Sequence, residues 1–274
     1  MKRILGNLER QLFAYAQMRS LSVLRSGELT GPLGISGKQE RELLTRLRKA
    51  GMIAKVRRGL YLIPPRLPLG GRWSPDEALV LQTLMEDRQG RYQICGPNAF
   101  NYYGFDEQIP TRVYAYNNRI SAERTVGVMV LNLIKVADRR LGDTENVPIA
   151  EDRTAVYSSR ARTLIDAVYD WSRFNSLPRG FSWIQAELGS GRVSAKDLVE
   201  VTLRYGDVGT IRRIGALLGR EGVEAALLRK LDRALKPTTS LVPWVPSLPK
   251  RGVTDRCWGI VWNDRESSIT DPTA

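Results

Sequence analysis

The chain contains 274 residues, and 42 Lys and Arg residues against 29 Asp and Glu residues give it a formal net charge of +13. It has no histidine, which excludes histidine-dependent nucleophiles, histidine general bases and histidine metal ligands. Its two cysteines are too few for a four-cysteine zinc site or a disulfide framework, so we expect reduced thiols. The length predicts about two domains.

The positive charge is concentrated at the N-terminal end. Residues 1–66 contain 14 basic and four acidic residues, a net charge of +10, whereas the other 208 residues contribute +3. This asymmetry favours a nucleic-acid partner for the first quarter of the chain, with a merely solvated basic surface as the alternative. The apolar run 126–136 is shorter than the roughly 20 residues of a membrane-spanning helix. We therefore expect a cytoplasmic protein without a membrane segment.

The first 66 residues predict a helix, a second helix, a third helix and a β-hairpin. Apolar spacing indicates the first helix over residues 4–18. A short second helix is expected over residues 26–33, although Pro32 inside it removes a hydrogen bond and predicts a shortened or bent element. Ser36 begins an S-x-x-Q capping box, which predicts a third helix up to Ala50. Two strand-like runs around a glycine-containing turn at residues 57–59 indicate the hairpin.

This order is that of a winged helix-turn-helix, in which the third helix reads DNA. Apolar residues gather on one side of that helix and long polar side chains lie opposite, the arrangement that a recognition helix needs in the major groove. Gln39 falls at the flank, which suits a capping role. An ordinary solvated basic face is the alternative. The candidate DNA-binding residues on the helix and hairpin are Lys38, Gln39, Arg41, Glu42, Thr45, Arg46, Lys49, Lys55, Arg57 and Arg58.

The rest of the chain predicts a second, larger domain. Residues 67–74 form a Pro/Gly-rich linker, and the segment 74–77 opens a new helix with Ser74 as its cap and Pro75 in its first turn. Strand-like and helical segments then alternate up to about residue 170, successive helices are expected over residues 180–235, and a late strand over 257–262. The strand predictions cover 92–95, 111–116 and the single buried run 126–136.

We therefore predict an α+β fold: a winged helix-turn-helix domain over residues 1–66, the linker 67–74, a mixed α+β domain over 75–264 ending in a helical region, and a flexible tail over 265–274. The tryptophans at positions 244, 258 and 262 are expected to be packing anchors rather than a base-stacking platform.

No catalytic constellation, metal site or cofactor is predicted. Asp166 and Asp170 lie one helical turn apart, which would allow a shared metal ion, but exposed helix carboxylates are the more common explanation. Arg160 and Arg162 near a helix start would suit an anion, and capping or solvation explains them equally well. The loop 189–192 lacks the lysine of a phosphate-binding loop.

Four segments resemble AbiEi antitoxins, which belong to the abortive-infection toxin–antitoxin systems of type IV. The first is the end of the basic winged helix, residues 57–64 (RRGLYLIP). The others are residues 92–99 (YQICGPNA), 104–110 (GFDEQIP) and 159–166 (SRARTLID). The motifs cover residues 5 to 170, and their order and spacing carry the resemblance more than any single one.

The resemblance implies two roles. The winged helix would bind inverted repeats in its own promoter and repress its operon, as a phage-defence antitoxin that regulates itself. The C-terminal domain would neutralise a nucleotidyltransferase-like toxin, without requiring a stable complex. The implied DNA-contact positions are Lys38, Gln39, Arg41, Thr45, Arg46, Arg57 and Arg58.

Two other functions stay open at this level. One is a one-component transcriptional regulator whose C-terminal domain binds a small ligand, which predicts an apolar pocket with converging polar groups in residues 75–235. The other is a nuclease or transferase guided to DNA by the winged helix, which predicts activity that depends on Asp166.

Overall fold

The structure, a computed structural model, describes residues 5–67, 72–150 and 153–264. The described residues form two compact units. One contains the chain up to Ile94 together with Thr111–Leu141 and Asn146–Val156, and the other contains Cys95–Pro110, Gly142–Glu145 and the residues from Tyr157 onward. Half of the predicted linker, residues 68–71, and the predicted tail, residues 265–274, lie outside the described residues.

The N-terminal segment is a winged helix with a three-stranded sheet of order β1-β3-β2. Both pairings in this sheet are antiparallel. Its elements are α1 (Asn7–Met18), β1 (Val23–Arg25), α2 (Thr30–Leu33), α3 (Gly37–Lys49), β2 (Ala54–Arg57) and β3 (Leu60–Leu62).

The predicted α3 and hairpin are confirmed, whereas the region between α1 and α3 differs from the prediction. A strand, β1, precedes the second helix, and it is too short for its alternation to be recognised from sequence. Helix α2 starts at Thr30 rather than Ser26, so Pro32 lies in its first turn, where backbone N–H groups have no helical acceptor anyway. Gly34 ends α2 in the left-handed conformation, with φ of 60°.

The winged helix has its own apolar core. Helices α1 and α3 supply Leu12, Phe13, Leu43, Leu44 and Leu47, all at most 2% exposed. Burial of side chains of this size stabilises the unit by about 1.5–3 kcal/mol each.

A six-stranded sheet follows, with the order β6-β7-β5-β4-β9-β8. Strand β5 pairs parallel with β7 and antiparallel with β4, and β6 pairs antiparallel with β7. The elements of this region are α4 (Glu77–Asp87), β4 (Tyr92–Ile94), α5 (Pro97–Tyr102), β5 (Val113–Asn117), β6 (Ala122–Val126), β7 (Met129–Lys135), a short 3-10 helix (Asp138–Arg140), β8 (Thr144–Ala150) and β9 (Arg153–Ser158).

Two predictions in this region were wrong in detail. The run 126–136 is not one strand, because the chain turns at Gly127, whose φ is 64°, and so joins β6 to β7. The cap of α4 is Asp76 rather than Ser74: its carboxylate accepts a hydrogen bond from the backbone N–H of Leu79 at 2.8 Å.

The C-terminal part is helical and ends in a small sheet. Its core joins α6, α8, α9 and α10 to the terminal strands. The elements are α6 (Arg160–Tyr169), α7 (Trp171–Phe174), α8 (Arg179–Gly189), α9 (Ala195–Tyr205), α10 (Val208–Arg220), α11 (Ala225–Arg233), β10 (Val242–Pro243), β11 (Val253–Asp255) and β12 (Ile260–Trp262).

The terminal segment is anchored by tryptophans and buried arginines. Trp244, Trp258 and Trp262 are 4–6% exposed, which confirms their role as packing anchors. Arg212 and Arg213 of α10 donate hydrogen bonds to the backbone carbonyls of Ser240, Pro243 and Trp244. Fixed guanidinium groups therefore satisfy the carbonyls of a segment that has little sheet of its own.

Candidate nucleic-acid interface

Helix α3 begins with the predicted capping box and is held by its apolar side. The hydroxyl of Ser36 accepts from the backbone N–H of Gln39 at 3.3 Å, and the side-chain carbonyl of Gln39 accepts from the backbone N–H of Ser36 at 2.8 Å. Leu43, Leu44 and Leu47 are fully buried below the helix. Gln39 thus serves the helix end through its carbonyl oxygen, and its role as a DNA contact stays a prediction.

A buried carboxylate, which the sequence reasoning missed, fixes the angle of α3. Glu40 is 2% exposed and accepts hydrogen bonds from the backbone N–H groups of Gly27, at 2.7 Å, and Leu29, at 3.1 Å. These two residues form the turn before α2, so one side chain joins the two helices of the motif. A helical wheel places Glu40 among the leucines of α3, and a carboxylate at such a position signals a specific buried partner.

The opposite side of α3 is exposed and forms a shallow groove of about 450 Å³. Guanidinium and ammonium donors there are suited to phosphates and guanine, and the threonine methyl to thymine. The structure thus brings five of the predicted residues together, with Lys49 exposed on the last turn of the same helix. The groove is lined by Lys38, Arg41, Glu42, Thr45 and Arg46.

Arg46 is the one residue of the groove with an acidic neighbour in α1. Its Nε lies 4.0 Å from Oε1 of Glu9, while its side chain stays 54% exposed. A contact of this length on an exposed side chain is weak. Arg46 therefore remains available to an external anion.

The wing is a tight hairpin whose turn is Arg58–Gly59. Gly59 has a φ of 76°, a conformation that other residues adopt only with strain. Arg58 is exposed at the turn, and Lys55 is half-buried on β2. Both are therefore available, to different degrees, for phosphate contacts.

Arg57 is placed differently, because it is bound within the protein. Its Nε donates to Oδ2 of Asp87 at 2.5 Å, its Nη2 donates to Oδ1 of the same carboxylate, and Nη1 of Arg25 also reaches Oδ1 at 3.1 Å. The hydrogen bond from Arg57 is the main cause that lowers the pKa of Asp87 to about 2, against the opposing effect of burial. The contact joins residues 30 positions apart, so no local pattern indicates it.

A separate cavity of about 340 Å³ lies in the second unit, between α6, α9 and the loops near them. Its lining is dominated by charged side chains, whereas the ligand-binding alternative predicts an apolar lining. The charged residues are Asp143, Glu145, Arg160, Arg192, Asp197, Glu200 and Arg204.

The basic side chains near this cavity are partly committed to one buried acid. Glu187 binds Arg160 at 2.9 Å and Arg192 at 2.7 Å. Burial raises the pKa of Glu187, but hydrogen bonds from both arginines outweigh it, and the pKa lies below its usual value. The backbone N–H of Arg160, at the start of α6, donates to Glu145 at 3.3 Å. A carboxylate of the chain itself therefore occupies the helix end considered for an anion.

The carboxylates considered for a metal are arranged differently from the expectation. Asp166 is buried, not exposed, and its Oδ2 accepts from Nε of Arg162 at 2.9 Å. Arg162 lies under the ring of Tyr205, with its guanidinium carbon 3.7 Å from the ring centre. Asp170 lies 3.4 Å from Arg173. This arrangement is a packed ion pair in the core of the helical unit.

Within residues 5–67, 72–150 and 153–264, no group of three or more Cys, Asp or Glu side chains is arranged to hold a metal ion. Over the same ranges, no helix has the length and apolar character to cross a membrane. Both cysteines are free thiols, Cys95 buried and Cys257 exposed.

Comparisons with known proteins connect the winged helix to a regulator family. Residues 10–64 match the family model described as "Transcriptional regulator, AbiEi antitoxin", which confirms the resemblance for this part of the chain. The crystal structure of the RV2827C protein from Mycobacterium tuberculosis is similar with a TM-score of 0.60 at 14% identity, covering 94% of this chain and 92% of that one, and so supports the fold. No curated protein sequence matches the chain.

Proposed function

We propose, from the match of residues 10–64 to AbiEi antitoxin transcriptional regulators, that this protein is a DNA-binding antitoxin that represses its own operon. The observation that carries the proposal is the exposed groove of α3, where donors and a threonine methyl stand on a helix held rigidly by Glu40 and the leucines. The DNA would be a pair of inverted repeats in the promoter, bound in the cytoplasm.

The groove suits sequence reading because it combines directional donors with an apolar contact. Arg41 can grip the O6 and N7 atoms of guanine in a bidentate manner, and Thr45, one turn further, can touch a thymine methyl. Phosphates would be neutralised by Lys38 in the groove, Lys49 on the last turn of α3 and Arg58 at the turn of the wing, which positions the helix without reading sequence. Glu42 would accept from the amino group of cytosine.

Titration of the purified full-length chain with its own upstream DNA tests this proposal. With four to six phosphate contacts, the logarithm of the affinity should fall with the logarithm of salt concentration with a slope of about −3.6 to −5.4. Scrambled DNA of equal length should bind more weakly by roughly 10³-fold or more at physiological salt. An affinity that does not change with salt, or that is equal for both DNAs, would refute operator binding.

We further propose that the second part of the chain neutralises a nucleotidyltransferase-like toxin, without a requirement for a stable complex. This role follows from the family resemblance, and the proposal assigns no catalytic residue, metal or cofactor to the chain. A co-transcribed nucleotidyltransferase-like gene beside the one that encodes this protein would support this role.

Co-expression from independent promoters separates neutralisation from repression. A full-length variant with Arg41→Glu and Lys38→Glu should lose operator binding and still rescue cells that express the neighbouring toxin. Both substitutions are on exposed side chains of the groove, so the fold should be retained. If the variant is abundant and folded but fails to rescue, neutralisation requires the DNA-binding surface and this part of the proposal is wrong.

A further inference from the structure

The wing of the winged helix is fastened to α4 by a three-residue ion cluster of Asp87, Arg57 and Arg25. Asp87 is the last residue of α4, and its side chain is 8% exposed. It receives two hydrogen bonds from Arg57 at the end of β2 and one from Arg25 at the end of β1. The cluster thus joins two strands of the wing sheet to a helix that follows the winged helix in sequence.

The wing needs such an anchor because its strands are short. Strands β2 and β3 contain four and three residues, and the pairing shifts register between Lys55 and Arg57. A short irregular hairpin is only marginally stable by itself. Arg57 also donates from Nη1 to the backbone carbonyl of Arg58 at 2.6 Å, so the anchored side chain fixes the turn as well.

Arg57 itself is poorly available to DNA in this arrangement. Each of its three nitrogens donates at least one hydrogen bond inside the protein, and two of the acceptors are oxygens of one carboxylate. The fork geometry that would grip a phosphate or a guanine is thereby already used. Its neighbour Arg58 is exposed at the turn, and its guanidinium is the better placed of the two to reach the DNA backbone.

We propose that Asp87 and Arg57 are positioning residues for DNA recognition, which hold the wing and Arg58 in register with α3 on the operator. The inference rests on the proposed DNA binding and concerns the same interface. Asp87 contributes by orientation rather than by charge, since a carboxylate near DNA is by itself repulsive. Loss of the cluster should therefore reduce discrimination between sequences while leaving the attraction to phosphates intact.

The ionisation state of the cluster is compatible with this role. The hydrogen bond from Arg57 keeps the pKa of Asp87 near 2, and the hydrogen bond to Asp87 raises the pKa of Arg57 above its usual value. The backbone N–H of Arg25 donates to Glu28 at 2.7 Å, which adds a second acid beside the cluster. Asp87 and Arg57 therefore stay charged at the pH at which DNA binding is measured.

The test compares Asp87→Asn with Glu86→Gln in the full-length protein. Both substitutions remove one negative charge from the end of α4. Glu86, however, is exposed and accepts a hydrogen bond from the side-chain amide of Gln82 in the same helix. Asp87→Asn should lower the ratio of operator to scrambled-DNA affinity by about tenfold, the discrimination of roughly one specific contact. Its affinity for scrambled DNA should stay equal or rise, because Arg25 and Arg57 are released. Glu86→Gln should leave the ratio unchanged.

A second variant keeps the inference testable if Asp87→Asn fails to fold. Arg57→Lys keeps the charge but loses the bidentate contact, so it should reduce the ratio as Asp87→Asn does. Arg48→Lys, at an exposed arginine of α3 outside the groove lining, should retain the ratio. An unchanged ratio in both cluster variants, or an equal loss of affinity for both DNAs, would overturn the inference while the proposed function stands. A wild-type protein that binds no DNA would overturn the proposed function and the inference with it.

Discussion

Glu40 ties helix α3 to the turn that precedes α2. Its carboxylate is buried and accepts two backbone N–H groups of the turn that precedes α2. Leu29 is buried, so removal of the carboxylate leaves its N–H unsatisfied, whereas Gly27 is exposed to water. Glu42, two positions further along the chain, is exposed to solvent and serves as the comparison.

We expect Glu40→Ala to lower the free energy of unfolding by about 2–4 kcal/mol, because two hydrogen bonds to a charged acceptor are lost and the N–H of the buried Leu29 is left unsatisfied. Glu42→Ala should change it by less than about 0.5 kcal/mol, as is usual for surface positions. Urea unfolding of both variants measures this. Equal effects of the two substitutions would show that the buried carboxylate does not stabilise the motif.

The depressed pKa of Asp87 predicts a specific acid sensitivity. A carboxyl group whose pKa falls from 3.8 to about 2 on folding contributes stability that is complete above pH 4 and is lost as the pH falls toward 2. The free energy of unfolding should therefore decrease more steeply between pH 4 and pH 2 in the wild type than in Asp87→Asn. Parallel curves for the two proteins would contradict the assigned ion cluster.

At the scale of elements, α10 shows how close packing sets a helix against the terminal strands. A Cβ atom added to Gly215 would lie 2.3 Å from the ring of Trp258, which is buried and cannot move aside, whereas one added to Gly219 would meet no atom closer than 3.7 Å. Both glycines belong to the same helix, Gly215 in its interior and Gly219 in its last turn. In a helix interior, alanine is favoured over glycine by about 1 kcal/mol unless packing forbids it.

We expect Gly215→Ala to destabilise the protein by about 1–3 kcal/mol, because the methyl group overpacks the contact with Trp258. Gly219→Ala should stabilise it by up to about 1 kcal/mol. Thermal and urea unfolding of the two variants give the comparison. A stabilising effect of Gly215→Ala would show that the ring contact is looser than described.

Elements with strong local signals were predictable, and those that depend on distant partners were not. The capping box at Ser36 and the glycine turn at Gly59 identified α3 and the wing. Strand β1 has three residues and exists because it pairs with β3, from Val23 opposite Leu62 to Arg25 opposite Leu60. The Asp87 cluster escaped sequence reasoning for the same reason, since its partners come from three separate elements.

For the whole molecule, the sequence predicted the class of fold and the basic winged helix. It did not indicate that a second basic segment belongs to the same compact unit. The segment 111–141, which belongs to the same compact unit as the winged helix, carries six basic and two acidic residues. The predicted boundary after residue 66 describes where the charge density changes. The compact unit continues into the six-stranded sheet. The boundaries of the second domain therefore stay a prediction.

Reading of the operator by the groove of α3 can be tested with one matched pair of variants. Arg41 lies in the groove, and Arg48 is exposed on the same helix outside its lining. Arg41→Ala should reduce the ratio of operator to scrambled-DNA affinity by about 10- to 100-fold, as expected for one lost base contact of roughly 1–3 kcal/mol. Arg48→Ala should leave that ratio unchanged. If Arg41→Ala weakens binding to both DNAs equally, α3 contacts only phosphates and the groove does not read the operator.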